Sequence, residues 1–229
     1  MRTPAETSAP AEWLAERLRG WPDSDGGVRV GAIVPTGFEA YARVFPRLHV
    51  SERKVLRWDQ LAEINGHVAH PLMELHLIAS PAPGYGPSPW EEPKPGWLSG
   101  PLLQTEVREL AKVLSDFTRT PERCWYCVWT GYGGIEETEA GAEIHHPGRD
   151  YFLSCGPIDE VTSFEEGPEI WWPDDGSWCV GSDPDLAASY VGGDKPSIEA
   201  VLTSRTLEAL PVSSDDRVDD RADVINRAE

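Results

Sequence analysis

Residues 171–193, WWPDDGSWCVGSDPDLAASYVGG, gather three tryptophans, one cysteine and four aspartates in one short region. Two apolar pieces flank "PDDG", in which proline presets its φ and glycine accepts a positive φ. This composition predicts a β-hairpin whose strands lie near Glu169 and Trp178. The same residues also offer rings and carboxylates to a ligand, and the sequence leaves that second interpretation open.

Other strands are predicted on both sides of this hairpin. The run "RCWYCVW" (123–129) is apolar on both faces and indicates a central strand, and "RDYFLSCGP" (149–157) indicates another. Nearer the N-terminus, residues 28–35 and 38–45 are separated by "PTG". Their alternating apolar residues predict the two strands of a second hairpin.

The clearest helix is predicted over residues 103–117, where apolar residues recur at helical spacing with charged residues opposite. Short helices are expected after Pro10, over residues 57–67, and after Asp194, which stands at a capping position. The fold class that follows is α+β: a mostly antiparallel sheet with one main covering helix and short peripheral helices.

The sequence predicts an N-terminal helical segment over residues 1–22 and an α+β region over residues 23–210. Within that region, the Pro-rich residues 80–101 exclude a strand or helix interior. Taken alone, they are either a long ordered loop or a linker between two domains. The acidic residues 211–229 have no apolar face and are expected to be a loosely ordered tail.

The formal charge of −19 excludes partners that need a basic surface. Nucleic acids and anionic membranes are therefore not expected, whereas a basic protein is a suitable partner. No run approaches the roughly 18 apolar residues of a membrane-spanning helix. Because the first residues also lack the pattern of a secretory signal, we expect a cytoplasmic protein.

The four cysteines are expected to be reduced core residues. Cys124 and Cys127 have the spacing of a zinc ligand pair, but in a continuous strand residues i and i+3 point to opposite faces. We therefore predict no metal. "GYGG" (131–134) follows a strand as phosphate loops do, yet three glutamates come soon after it, so no nucleotide or other cofactor is expected.

Candidate binding residues are the rings and carboxylates of the opening stretch, together with one arginine. Paired carboxylates beside tryptophans are typical of sugar hydrolases, although "PDDG" and "SDPD" are also ordinary turn sequences. The candidate ligand- or partner-binding residues are Trp171, Trp172, Asp174, Asp175, Trp178, Asp183, Asp185 and Arg43.

Five blocks together resemble a family of hypothetical actinobacterial proteins that carry them in the same order. The blocks are "VPTGFEAYARVFP", "RWDQLAEINGHVAHPLMELH", "CWYCVWTGYGG", "RDYFLSCGPID" and "WWPDDGSWCVGSDPDLAASYVGG". The resemblance implies that residues 23–210 are a single domain, because the blocks lie on both sides of residues 80–101. Those residues are therefore expected to be a Pro-rich insertion that lies over the sheet. The resemblance implies no catalytic residues.

The function that these observations favour is a non-enzymatic, acidic, cytoplasmic protein-binding module, of which an immunity protein or antitoxin is one instance. Its basis is the charge of −19 and the lack of a complete catalytic constellation. The alternative is an enzyme or small-ligand-binding protein with a pocket lined by tryptophan and aspartate. Oligomeric state is left open.

Overall fold

The computed structural model describes residues 1–51, 54–89, 104–132, 141–146, 148–164 and 167–227. Over these residues a mostly antiparallel sheet is combined with several helices, which confirms the predicted α+β class. No helix within the described ranges is both long enough and apolar enough to cross a membrane.

In the part of the chain that the structure describes, nine strands form the main sheet and two more form a separate hairpin. The strands are β1 (Thr3–Pro4), β2 (Ala40–Phe45), β3 (Leu48–Ser51), β4 (Lys54–Leu56), β5 (Cys124–Trp129), β6 (Glu143–His146), β7 (Arg149–Gly156), β8 (Ile170–Pro173), β9 (Trp178–Gly181), β10 (Ser189–Gly193) and β11 (Glu208–Val212). The order in the main sheet is β1-β7-β5-β8-β9-β10-β2-β11, with β6 paired to β7. The small hairpin is β3-β4.

The predicted hairpin of the opening stretch is confirmed as β8 and β9, which lie at the centre of the sheet. Trp171 pairs with Val180, and Gly176 takes a φ of 63° in the turn, where its freedom at positive φ is required. On the two sides of this hairpin lie β5 and β10. The sequence 123–129 is therefore a central strand, as predicted.

The helices of the described residues are α1 (Glu12–Arg17), α2 (Trp58–Asn65), α3 (Leu75–Ile78), α4 (Gln104–Ser115) and α5 (Lys195–Leu202). As predicted, α5 begins after Asp194, whose Oδ1 accepts a hydrogen bond of 2.9 Å from the Ser197 N–H. One face of the sheet is covered by α4 and α5, which share an apolar cluster with Ala42 and Val44 of β2.

Two further apolar clusters cover the opposite face. Tyr41 and Tyr190 belong to one of them, together with residues of the N-terminal segment. Phe45 and Trp58 belong to the other, together with residues of α2 and α3. Because alternate residues of a strand point to one face, Tyr41, Arg43 and Phe45 of β2 all lie on this side.

The prediction of a strand over residues 28–35 is wrong. A 3-10 helix occupies Val30–Ala32, and the N–H groups of Val30 and Gly31 donate to the carbonyls of Asp216 and Ser214. Val30 and Val34 are buried against the sheet, and Val28 is partly buried there, rather than paired within it. The second predicted strand, residues 38–45, is confirmed as β2, but its partners are β10 and β11.

The predicted Pro-rich insertion is described only in its first part, because residues 90–101 lie outside the described residues. Residues 82–89 contact the end of α2. The Asn65 Nδ2 donates to Ser88 Oγ at 2.9 Å, and the Ala82 N–H donates to the Asn65 carbonyl at 2.8 Å.

The tail predicted over residues 211–229 is packed rather than loosely ordered where it is described. Residues 211–212 belong to β11, residues 213–227 form the C-terminal segment, and residues 228–229 lie outside the described residues. Val218 and Ala222 are buried, and the Asp223 side chain is fully buried. Charge alternation did not predict this packing, because the segment is fixed by its carboxylates, which accept hydrogen bonds from distant backbone N–H groups.

Candidate functional site

A cavity of about 770 Å³ opens on the face of the sheet opposite α4 and α5. Such a volume lies within the range of roughly 300–1,000 Å³ that is usual for ligand pockets. Arg43 of β2 and Tyr190 of β10, which are directly paired across the two strands, contribute to its lining. The rest of the lining comes from α3, the β9-β10 connection, the C-terminal segment and two residues near the N-terminus, Trp21 and Val28.

Arg43 is a buried cation whose hydrogen bonds are made inside the protein. Its Nη1 donates to the carbonyls of Pro71 (3.1 Å) and Met73 (3.0 Å), and its Nη2 donates to Glu74 Oε1 (3.3 Å). The guanidinium carbon lies 4.7 Å from the centroid of the Phe45 ring. Arg43 thus fixes residues 71–74 over the sheet, and Glu74 balances its charge.

Glu74 is the second charged group of this pair. Burial raises its pKa to about 7, although the neighbouring Arg43 opposes that rise. Asp223 and Asp219 raise the pKa further through charge repulsion. A carboxyl group that titrates near neutral pH inside a cavity is a feature common at functional sites.

The C-terminal segment forms one wall of the cavity, and two aspartates attach it. Asp223 accepts a hydrogen bond of 3.1 Å from the Glu74 N–H. It also accepts one from His70, whose Nε2 lies 2.9 Å from Asp223 Oδ1. Asp219 accepts from the Val28 N–H at 2.9 Å. Both contacts join parts of the chain that are more than 100 residues apart.

Among the described residues, four carboxylates line the cavity, and we call them the acidic rim: Glu74, Asp185, Asp219 and Asp220. Asp185 is held in place by Arg149, whose Nη2 donates to its Oδ2 at 2.6 Å. The same guanidinium also pairs with Asp183, at 2.5 and 2.8 Å. Asp220 is exposed, and no side chain of the described residues donates a hydrogen bond to its carboxylate.

Two of the predicted site residues, Arg43 and Asp185, line this cavity. Asp183 lies beside it, joined to Asp185 through Arg149. The structure therefore brings these three predicted residues into one region, but the predicted tryptophans and the "PDDG" carboxylates lie elsewhere.

The three predicted tryptophans are buried in the core. Trp171 and Trp178 pack edge to face, with ring centroids 5.1 Å apart, on the α4 side of the sheet. Trp172 lies on the other side, where its ring centroid is 5.7 Å from that of Trp13. Adjacent residues of a strand point to opposite faces, so Trp171 and Trp172 do not share a pocket.

Asp174 and Asp175 stabilise the β8-β9 turn. Asp174 Oδ1 accepts a hydrogen bond of 2.7 Å from Trp125 Nε1. Asp175 accepts from Thr118 Oγ1 at 3.0 Å and from the Arg119 N–H at 2.8 Å. These contacts give both carboxylates a structural role in fixing the turn to neighbouring segments.

The sequence reasoning missed Glu74, Tyr190 and Asp220. No binding role was predicted for the stretch around Glu74, and Asp220 lies in the segment expected to be loosely ordered. One signal was available: Arg43 is a charged residue in an apolar strand, and a buried charge requires a partner of opposite sign. That signal predicts a nearby carboxylate but not its position in the chain.

Cys124 and Cys127 lie on opposite faces of the sheet, so they cannot ligate one ion. Burial raises the pKa of the Cys124 thiol to about 12, which disfavours the thiolate.

Within the described ranges, Glu143, His145 and Asp150 have ligand atoms close enough to share a metal ion. His145 and Asp150 already form an exposed 2.9 Å contact with each other, as ordinary surface ion pairs do.

Another buried carboxylate whose pKa is raised, that of Glu169, lies outside the cavity. Burial raises its pKa to about 7. Both of its oxygens are used, since Tyr132 Oη donates at 2.6 Å and the Trp129 N–H at 2.7 Å. This group fixes the end of β5, and its oxygens face these donors rather than a ligand.

No protein-family model, curated protein or solved structure matches this chain.

Proposed function

We propose that this chain is a cytoplasmic binding protein for a basic partner protein, and that the acidic rim and its cavity form the contact surface. The observation that carries the proposal is the convergence of four carboxylates on one preformed cavity in a chain of charge −19. Opposite charges across an interface accelerate association and select the partner. An immunity protein or antitoxin that binds a basic toxin is one instance of this class.

The balance of charges around the cavity supports a basic partner. The Arg43 charge is offset by Glu74, and Arg149 faces two carboxylates, Asp183 and Asp185. Asp219 is paired with Arg217, which also lies near Asp220. When these pairs are counted among the described residues, one negative charge remains beside Arg149 and one remains on Asp220. A cation that approaches the mouth therefore meets unbalanced negative charge.

A small organic ligand is the second candidate, and the cavity volume of about 770 Å³ favours it. Apolar lining with a few polar groups is typical of small-molecule sites. In this second candidate function the cavity is the same, but the ligand is a small organic molecule instead of a protein. It predicts that a metabolite-sized molecule co-purifies with the chain or binds it without any protein partner.

The proposal is tested by two double variants that remove the same charge from opposite faces of the sheet. Asp185→Asn/Asp220→Asn alters the acidic rim. Asp116→Asn/Glu199→Gln alters exposed residues at α4 and α5 and is the matched control. Each immobilised protein is used to capture proteins from a lysate of the source cells, and any enriched protein is then purified for binding measurements.

We expect the wild-type chain and the control variant to enrich the same basic protein at low salt. The rim variant should bind the purified partner about tenfold more weakly, and salt should reduce its binding less steeply, because two attractive charges are lost. Equal weakening in both double variants, or enrichment of no basic protein, would contradict the proposal.

A further inference from the structure

We propose that the cavity receives one arginine side chain of the partner, with its guanidinium bound by free carboxylate oxygens and its aliphatic stem against the apolar wall. This inference rests on the proposed function and names the group that enters the site. It is carried by three features of the cavity: the oxygens left free, the apolar lining and the internal pairing of Arg43.

Three groups at the cavity keep acceptor capacity after the internal hydrogen bonds are counted. Glu74 uses Oε1 for Arg43, and Asp185 uses Oδ2 for Arg149. Their other carboxylate oxygens and the carboxylate of Asp220 accept no hydrogen bond from the described residues. These acceptors come from three separate segments of the chain, and a guanidinium, with five N–H donors spread over a planar fork, is suited to bind several of them.

The remaining lining is largely apolar. Val28 and Val218 come from the two terminal segments, and Leu75 and Leu186 come from α3 and the β9-β10 connection. Trp21 adds an indole to the same lining. An arginine carries a three-carbon stem and a planar head that stacks on aromatic rings, so both parts of the side chain find a matching surface.

Arg43 does not take the place of the incoming cation. Its Nη1 and Nη2 atoms donate to two backbone carbonyls and to Glu74, and the guanidinium lies against Phe45. Arg43 is therefore fixed as part of the floor, and it holds Glu74 in place. In this arrangement Glu74 is shared between the resident guanidinium and the incoming one, as carboxylates with two oxygens allow.

Amino-acid analogues test the inference directly on the whole chain. The probes are N-acetyl-arginine methylamide, the corresponding lysine compound and the corresponding citrulline compound, which is neutral and has nearly the shape of arginine. Binding is followed by nuclear magnetic resonance of the indole N–H groups, and a Trp21→Phe variant assigns the Trp21 signal.

We expect the arginine analogue to shift the Trp21 signal and to bind at least about tenfold more tightly than the citrulline analogue, since charge-assisted hydrogen bonds are lost in the neutral compound. Asp220→Asn, which changes an exposed residue, should weaken this binding without affecting the fold, as circular dichroism would show. Asp116→Asn is the control and should bind the analogue as wild type does.

Equal binding of the arginine and citrulline analogues would overturn the inference, as would tighter binding of the lysine analogue. If no analogue binds but a basic partner still requires the acidic rim, the inference fails and the proposed function stands. If the arginine analogue binds at Trp21 and no basic protein is captured, the proposed function fails and the cation site stands.

Discussion

Arg43 shows how a single residue organises the cavity. Its neighbours on the same strand face, Tyr41 and Phe45, are buried in two different apolar clusters, so Arg43 lies at the boundary between them. Moving a charge into such a place costs several kcal/mol, and close pairing is needed to offset that cost. The hydrogen bonds to Pro71, Met73 and Glu74 supply the pairing, and they also fix the segment that carries Glu74.

The pKa of Glu74 leads to a prediction about stability and pH. In the folded chain this pKa is raised from 4.5 to about 7. The folded state therefore binds the proton more tightly than the unfolded state. The contribution of the Glu74 carboxyl group to the free energy of unfolding is complete below about pH 4.5 and is lost as the pH rises to about 7. Between pH 5 and pH 8, the free energy of unfolding of wild type should fall by on the order of 2 kcal/mol more than that of Glu74→Gln.

Urea denaturation of both proteins at the two pH values measures this difference. Glu63→Gln is the control, because Glu63 is an exposed glutamate on α2. It should keep the wild-type pH dependence. The same pH dependence in Glu74→Gln as in wild type would show that the Glu74 carboxyl is already ionised at pH 5 in the folded chain.

At the scale of single residues, the sequence predicted Arg43 and Asp185 in the site but also placed three tryptophans there. Rings near carboxylates in the sequence do not specify which face of a strand each side chain occupies. Strand alternation alone separates Trp171 from Trp172, and it was not applied to that pair. Asp174 and Asp175 were equally consistent with a turn, and the structure gives them that role.

Elements with local signals were predicted well. Asp194 begins α5, Gly66 ends α2 with a φ of 76°, and the apolar spacing of α4 marks its buried face. Residues 28–35 were predicted wrongly, because alternating valines are typical of a strand but are also compatible with a 3-10 turn packed on a sheet. The C-terminal segment was predicted wrongly too, since its order depends on hydrogen bonds to residues far away in the chain.

Asp223 should be essential to that segment. Replacing it by alanine removes the acceptor for the Glu74 N–H and for His70, and it also removes the acceptor for the N–H groups of Ile225 and Asn226. Buried hydrogen bonds to a charged group contribute about 1.5–3 kcal/mol each, and part of this loss is recovered by relaxation. We expect Asp223→Ala to lower the free energy of unfolding by about 3 kcal/mol.

Hydrogen exchange locates the effect. In Asp223→Ala, the backbone amides of residues 68–74 and 213–227 should exchange faster than in wild type, while those of β5 and β8 change little. Val224→Ala is the matched control, because Val224 is adjacent and 76% exposed. Exchange that is equally fast in both variants, or unchanged in both, would show that Asp223 does not hold the C-terminal segment in place.

The whole molecule has two different sheet faces. One is closed by α4 and α5 over a continuous apolar cluster, and the other carries the cavity between two clusters. The cavity is assembled from residues as far apart in the chain as Trp21, Glu74, Asp185 and Asp220. Strand order brings them together, and local sequence patterns do not determine strand order. The fold class was therefore predictable, whereas only Arg43 and Asp185 of the cavity lining were.

The most direct test of the account is the footprint of the basic partner on this chain, measured by hydrogen exchange with and without the partner. We predict protection at the cavity: in residues 21–28, 74–80, 185–187 and 218–220, with α4 and α5 unchanged. Protection confined to α4 and α5, with the cavity residues exchanging as in the free chain, would contradict it.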